Sequence, residues 1–289
     1  MSELSWWPAP AKLNLFLHVV GKRPDGYHNL QTIFQLIDRC DRIGLASRSD
    51  GRIVRIEGLP GVPAEQDLAV RAALALQQHT AVAQGADIRV TKHIPVGGGL
   101  GGGSTDAATV LLALNRIWGT HLGLDELATI GLALGADVPV FVHGSTAWGE
   151  GRGELLTPVQ RPERWFLVLH PGVGVSTAQM FQAPELTRNS PLITIRAFLE
   201  GGTANAFEPI VCTRHEEVAQ ALEWLRSQID ARNSPIAARM TGTGACIFAS
   251  FEHAADAERI AARVPDRWNG FVARGLNRSP LHEMLEMDG

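Results

Sequence analysis

The sequence predicts an α+β protein of two domains, with mixed sheets and helices, on three observations. Its first part opens on strand-like runs and turns to helices only from about residue 67. A glycine-rich loop then feeds a long apolar helix near residues 95–118. A polar, proline-bearing stretch from Arg161 to Arg164 precedes a second series of strands and helices, which places the boundary between domains 1–160 and 161–289. A chain of 289 residues is long enough for one large or two modest cores.

Residues 11–20 alternate with the period of a strand. Ala11, Leu13, Leu15, Leu17 and Val19 form one face, which reads as buried; Lys12, Asn14, Phe16, His18 and Val20 form a more polar one. From periodicity alone Lys12 reads first as a solvated strand lysine. Residues 21–29 are turn chemistry and hold Tyr27, the only tyrosine, beside His28. A loop anchor and a surface histidine are the plain alternatives for that pair. Strands are expected over 32–37, 42–46 and 52–57, an Ala/Leu-rich helix from about Asp67 to Gln78, and a strand over 86–92.

The loop that follows reads Pro95-Val96-Gly97-Gly98-Gly99-Leu100-Gly101-Gly102-Gly103-Ser104-Thr105. Side chains are removed where something approaches the backbone closely or φ turns positive. Ser104, Thr105 and Asp106 are good N-cap types, and a helix is expected over 107–118. A glycine loop entering a helix N-terminus offers free N–H groups and the positive end of the helix dipole, the physical means of holding phosphate. A flexible linker fits poorly between a strand and an amphipathic helix. Gly97-x-Gly99-x-x-Gly102 satisfies a dinucleotide fingerprint in spacing, but Pro95 separates it from the strand, and Asp125 and Glu126 begin a helix instead of ending a second strand. The P-loop pattern fails as well, because Ser104 stands where a lysine is required.

Residues 124–134 are expected to be helical with Asp125 as N-cap. Asp137, two residues before Pro139, is expected in extended backbone outside that helix, as a turn carboxylate or a functional acid. The second half predicts a strand at 165–170, a segment with Ser176, Thr177 and Phe181, helices over 216–229 and 254–264, and a strand at 270–274. Between them, residues 239–248 form a second glycine turn entering an apolar strand.

Composition excludes several classes. A net charge of −4 gives no reason to expect a nucleic acid or an anionic membrane as partner. Cys40, Cys212 and Cys246 are odd in number and far apart, which argues against a disulfide framework or a cysteine zinc site; no metal-ligand cluster is expected. The first ten residues lack the order of a signal peptide, and no segment is long enough to span a bilayer, so a cytoplasmic protein is expected.

The motif Pro-x-Gly-x-Gly-Leu-Gly-x-x-Ser resembles the central motif of the GHMP kinases, named for galactokinase, homoserine kinase, mevalonate kinase and phosphomevalonate kinase. Residues 10–15 (Pro-Ala-Lys-Leu-Asn-Leu) resemble the family's first motif, Thr241 to Cys246 its third, and 135–139 (Gly-Ala-Asp-Val-Pro) the segment of its catalytic acid. Residues 23–28 and 277–281 look specific to the branch that acts on a cytidine diphosphate-linked methylerythritol. The resemblance implies a two-domain fold with the active site in the cleft between domains, and ATP with Mg²⁺ as cofactors. Residues 95–105 would wrap the ATP phosphates, with the Ser104 and Thr105 hydroxyls near the phosphates and Mg²⁺. Asp137 would be the general base on the substrate hydroxyl, with Lys12 beside it, stabilising the developing alkoxide. Tyr27 and Phe181 would stack on cytosine, His28 would bond its polar edge, and Asn14 and Thr177 would line the erythritol and diphosphate region. A kinase for homoserine or mevalonate, or a binding protein that has lost its chemistry, are the rival readings. Two positions depart from the pattern: Asp67 stands where relatives often carry Asn, and Val140 separates Pro139 from Phe141.

Overall fold

A computed structural model describes residues 3–57, 61–199, 203–229 and 236–287. Two long antiparallel strands, β1 (Ser5–Lys22) and β2 (His28–Arg48), run side by side through the molecule. Then come the short β3 (Ile53–Arg55), α1 (Leu68–Thr80), β4 (Gly85–Thr91), α2 (Gly102–Ile117), α3 (Leu124–Leu134) and α4 (Val138–His143). The hairpin β5 (Ala147–Glu150) and β6 (Leu155–Pro158) leads to β7 (Trp165–His170), α5 (Thr177–Gln182), α6 (Ile195–Leu199), α7 (Glu208–Arg214) and α8 (Glu216–Gln228). The chain closes with β8 (Arg239–Met240), β9 (Ile247–Phe251), α9 (Ala254–Ala261), β10 (Asn269–Leu276) and α10 (Pro280–Met287).

Strand β2 is the spine. One edge pairs with β1, and the other takes β4 at 42–48, β10 at 36–37 and β5 at 32–34 in succession. Beyond β10 the sheet continues through β7 and β9 to β8. The sequence suggested two strands, at 32–37 and 42–46, because Asp38 to Asp41 interrupt the apolar pattern. The ladder instead crosses that gap by a register shift between Pro10 and Ala11, which leaves Asp38 and Arg39 outside the pairing.

Three apolar cores flank this spine. One joins α1 to α4 to the strands and receives Leu281 from α10; a second gathers α7, α8 and α9 against β7 and β9. The third lies between them and contains Ala11, Leu13, Leu15, Phe16 and Leu100. The single side chain interrupting the glycine run is therefore a buried anchor. Lys12 and Asn14 are buried too, so the polar face of β1 points inward and not to solvent.

Three helix starts differ from expectation, and α9 ends at Ala261, short of the expected 264. Helix α2 begins at Gly102 with Gly101 as a left-handed N-cap, so Ser104 and Thr105 sit inside its first turn and Asp106 just beyond it. Helix α3 is capped by Gly123, and Asp125 lies in its first turn. Asp137 has helical backbone (φ −85°, ψ −9°) because Val138 to His143 coil into α4, where Pro139 at the start lacks only an N–H that the first turn leaves free.

Candidate active site

Three segments remote in sequence meet around the glycine loop. The Lys12 amide donates to Leu100 O at 3.1 Å, the Asn14 amide to Thr241 Oγ1 at 2.8 Å, and the Cys246 amide to Gly98 O at 3.0 Å. Gly99 shows why glycine is needed: at φ +76°, an added Cβ would stand 2.4 Å from Thr241 O. The loop is clamped between β1 and the second glycine turn, with the N-terminal end of α2 immediately behind it.

Lys12 sits at the centre of that junction. Its Nζ donates to Gly99 O at 3.1 Å and to Asn14 Oδ1, and lies 3.2 Å from Asp137 Oδ2. Asn14 is oriented by its own Nδ2 donating to Thr32 Oγ1 at 2.9 Å, which leaves Oδ1 for the lysine. A buried ammonium is tolerable only when paired and hydrogen-bonded in this way. The Lys12 side chain is 3% exposed and that of Asp137 34%, so the carboxylate is the partner that opens outward.

Further along, the ring of His28 stacks on Phe181 at 5.2 Å between centroids with 28° between planes, and Phe181 meets Phe207 edge-on at 4.8 Å. Tyr27 is exposed, with the Arg152 guanidinium 4.8 Å over its ring. The hydroxyls of Thr177 and Thr243 lie 2.8 Å apart. A cavity of about 920 Å³ connects all of this: its walls include Lys12, Asn14, Tyr27, His28, Pro95 to Ser104, Asp137, Thr177 and Phe181. Thr105 is the exception, fully buried in the first turn of α2 and outside the cavity wall.

Residues 67–145 match the family model for the GHMP kinases N terminal domain, and 186–270 that for GHMP kinases C terminal. A 4-diphosphocytidyl-2-C-methyl-D-erythritol kinase of Alkalilimnicola ehrlichii is 57% identical over 281 residues, spanning 96% of this chain and 94% of its own. One from Halorhodospira halophila is 56% identical over 288 residues, 99% of this chain and 98% of its own. A crystal structure of a 4-(cytidine 5'-diphospho)-2C-methyl-D-erythritol kinase superposes with a TM-score of 0.80 at 31% identity, over 94% of this chain and 99% of that one. The chain belongs to the 4-diphosphocytidyl-2-C-methyl-D-erythritol kinases of the GHMP family. It is thus an ATP-dependent kinase of a small molecule.

This kinase also brings residues to its cavity that were not singled out in the sequence. Lys92 lies on the cavity wall, pairing with Asp106 at 2.7 Å and with Asp41. It shares strand parity with the buried Ala86, Ile88 and Val90. A lysine continuing a buried face was the available signal. Burial raises the Asp106 carboxyl to about 8, with Asp41 adding to the effect and Lys92 opposing it. Arg152 and Arg188 also line the cavity, and neither stands in a motif. Asp67, which departs from the family pattern, caps α1 by accepting from Ala69 N at 3.0 Å and pairs with Arg55 at 2.9 Å. Both of its oxygens are engaged inside the protein. Among the described residues no helix is long and apolar enough to cross a membrane.

Proposed function

We propose that this kinase transfers the γ-phosphoryl of ATP to the 2-hydroxyl of 4-diphosphocytidyl-2-C-methyl-D-erythritol, giving the 2-phosphate and ADP, in non-mevalonate isoprenoid synthesis in the cytoplasm. The observation that carries the reading is the Lys12–Asp137 pair, 3.2 Å apart, in one cavity with the glycine loop and the His28–Phe181 stack.

Phosphoryl transfer asks a protein mainly for positioning and charge stabilisation. Asp137 is the general base, its half-buried carboxylate taking the proton of the attacking hydroxyl. Lys12, fixed by Asn14 and Gly99 O, stabilises the alkoxide that develops beside it. The N–H groups of residues 97–104 and the dipole of α2 meet the charge on the phosphoryl oxygens. Tyr27, His28 and Phe181 receive the cytosine, and Asn14 and Thr177 line the path of the erythritol and diphosphate.

Among the described residues no three His, Cys, Asp or Glu side chains gather as a metal site. Such a setting suits Mg²⁺, which keeps its waters and is held largely by substrate phosphates. Ser104 on the cavity wall would offer the ion its hydroxyl, while Thr105, buried behind it, would not reach the ion. The ion supplies charge neutralisation on the phosphates when bound. Residues 1–160 and 161–289 are proposed as the two domains, with the cavity in the cleft between them.

An ADP-release assay with Mg·ATP tests the reading against its relatives. Turnover is expected with the cytidine diphosphate-linked methylerythritol and not with homoserine or mevalonate. Turnover with either of the latter instead would keep the base and loop but overturn Tyr27, His28 and Phe181 as readers of the substrate.

A further inference from the structure

At the base-receiving end of the cavity, every nitrogen of one guanidinium is engaged inside the protein. Arg188 donates from Nε to His28 Nε2 at 3.1 Å, from Nη1 to Leu186 O at 3.1 Å, and from Nη2 to Phe181 O at 3.1 Å and Ala183 O at 2.8 Å. An arginine whose donors are directed this way is a frame holding His28 and the end of α5 together. The same frame fixes the angle at which the His28 and Phe181 rings lie on each other.

The Arg188–His28 bond also has a forced polarity. Guanidinium stays charged and carries no acceptor, so His28 Nε2 must be the accepting atom. A neutral imidazole that accepts at Nε2 carries its proton on Nδ1. Burial, with the Arg188 and Lys22 charges nearby, disfavours a second proton on the ring. The nitrogen left for a ligand is therefore an N–H donor.

We infer that Arg188 is a positioning residue that makes His28 a hydrogen-bond donor at Nδ1, and that this selects cytosine over uracil in the substrate. The inference rests on the reading of the substrate as a cytidine nucleotide. Cytosine presents an unprotonated N3, which accepts the His28 proton. Uracil carries a proton on N3, so two donors face each other and both lose their partners. A site built around a hydrogen bond rejects the analogue that cannot make it far more strongly than shape alone does.

Nitrogen-15 NMR of histidine-labelled wild-type protein, without substrate and with His28 assigned by its absence in His28→Gln, reads the tautomer directly. A proton on Nδ1 is expected; a proton on Nε2 overturns the inference whatever any variant does. Kinetics then use the cytidine substrate and its uracil counterpart with wild type, Arg188→Met and Arg188→Lys. Arg188→Met is expected to raise KM for the cytidine compound about tenfold and to lower the cytosine-to-uracil ratio in kcat/KM by about tenfold or more. Its kcat and its KM for ATP should stay within about twofold of wild type. Arg188→Lys still presents an N–H to Nε2 and should keep most of the discrimination, which a merely structural role for Arg188 would not produce. An unchanged ratio in Arg188→Met overturns this inference and leaves the cytidine reading standing. If wild type turns over no cytidine compound at all, that reading fails and takes the inference with it.

Discussion

Asp137 illustrates how one residue can be legible in its chemistry and illegible in its backbone. Its position before Val-Pro suggested extended chain, yet it starts the six-residue α4 and points its carboxylate at Lys12. Its side chain makes no capping bond, so the carboxylate is not required by the helix it begins. Asp137→Asn keeps the shape and removes the base, and should therefore leave ATP affinity nearly intact while lowering kcat by about two to four decades. Equilibrium binding of ATP alongside single-turnover rates checks both halves; a kcat within about threefold of wild type would move the base elsewhere. Lys12 was harder to read, because alternation shows which way a side chain points but not what covers it. The lysine, 2% exposed, lies under residues 99–100 and Asp137, contacts that no local pattern contains.

The glycine loop was legible as an element, since its composition, the strand before it and the helix after it all lie within one stretch of sequence. What composition could not show is the second glycine turn lying against it, or the strand β1 that bonds to both. Strand β2 read as two pieces because a register shift, set by the partner strand, interrupts its pattern while its pairing continues. The interlock makes its own prediction. Gly99→Ala forces a Cβ against Thr241 O at a positive φ, and should destabilise the protein by about 1–3 kcal/mol and raise the Kd for ATP. Gly172→Ala, also at positive φ (+84°) but with nothing within 4 Å of an added Cβ, is the matched control in thermal melts and nucleotide titration. If the two variants behaved alike, close approach would not be the reason for the glycine. The Lys92 cluster behind the loop responds to pH. With the Asp106 carboxyl raised to about 8 from an ordinary 3.8, the folded protein keeps a proton there that the unfolded chain releases. That contribution to stability is full below about pH 4 and is lost as pH rises to about 8. Asp106→Asn imitates the protonated form, so its Tm should vary less with pH over this interval than that of wild type. An equal slope in the two proteins would show that Asp106 is ionised in the fold.

At the scale of the whole molecule, the order of the chain and the order in space part company at the C-terminal end. The two matched family regions lie at 67–145 and 186–270, and α10 follows both. Yet α10 packs on the first core: Leu281 is 1% exposed within it, and Met284 and Leu285 lie against it. The approach is held by the Thr146 amide on Asn277 O at 3.0 Å and the Ser279 amide on Gly144 O at 2.8 Å. Strand β10 meanwhile pairs with β7 along its length and with β2 at its end, so one strand belongs to both halves. Amphipathic periodicity could show that residues 280–287 have an apolar side; it could not show which core receives it. These links couple the halves, and loss of packing in one is expected to be felt in the other. Leu281→Ala removes a buried side chain from the first core and should cost about 2–5 kcal/mol. Leu281 lies outside the cavity wall, so kcat well below the melting temperature should be unchanged. Hydrogen exchange measured by mass spectrometry separates a coupled fold from two independent ones. In a coupled fold, the slowest amides of α1 and of α8 lose protection by the same free energy in the variant, and both melt in one transition. Loss of protection confined to α1 would mean that the shared strands join the halves without making them unfold together.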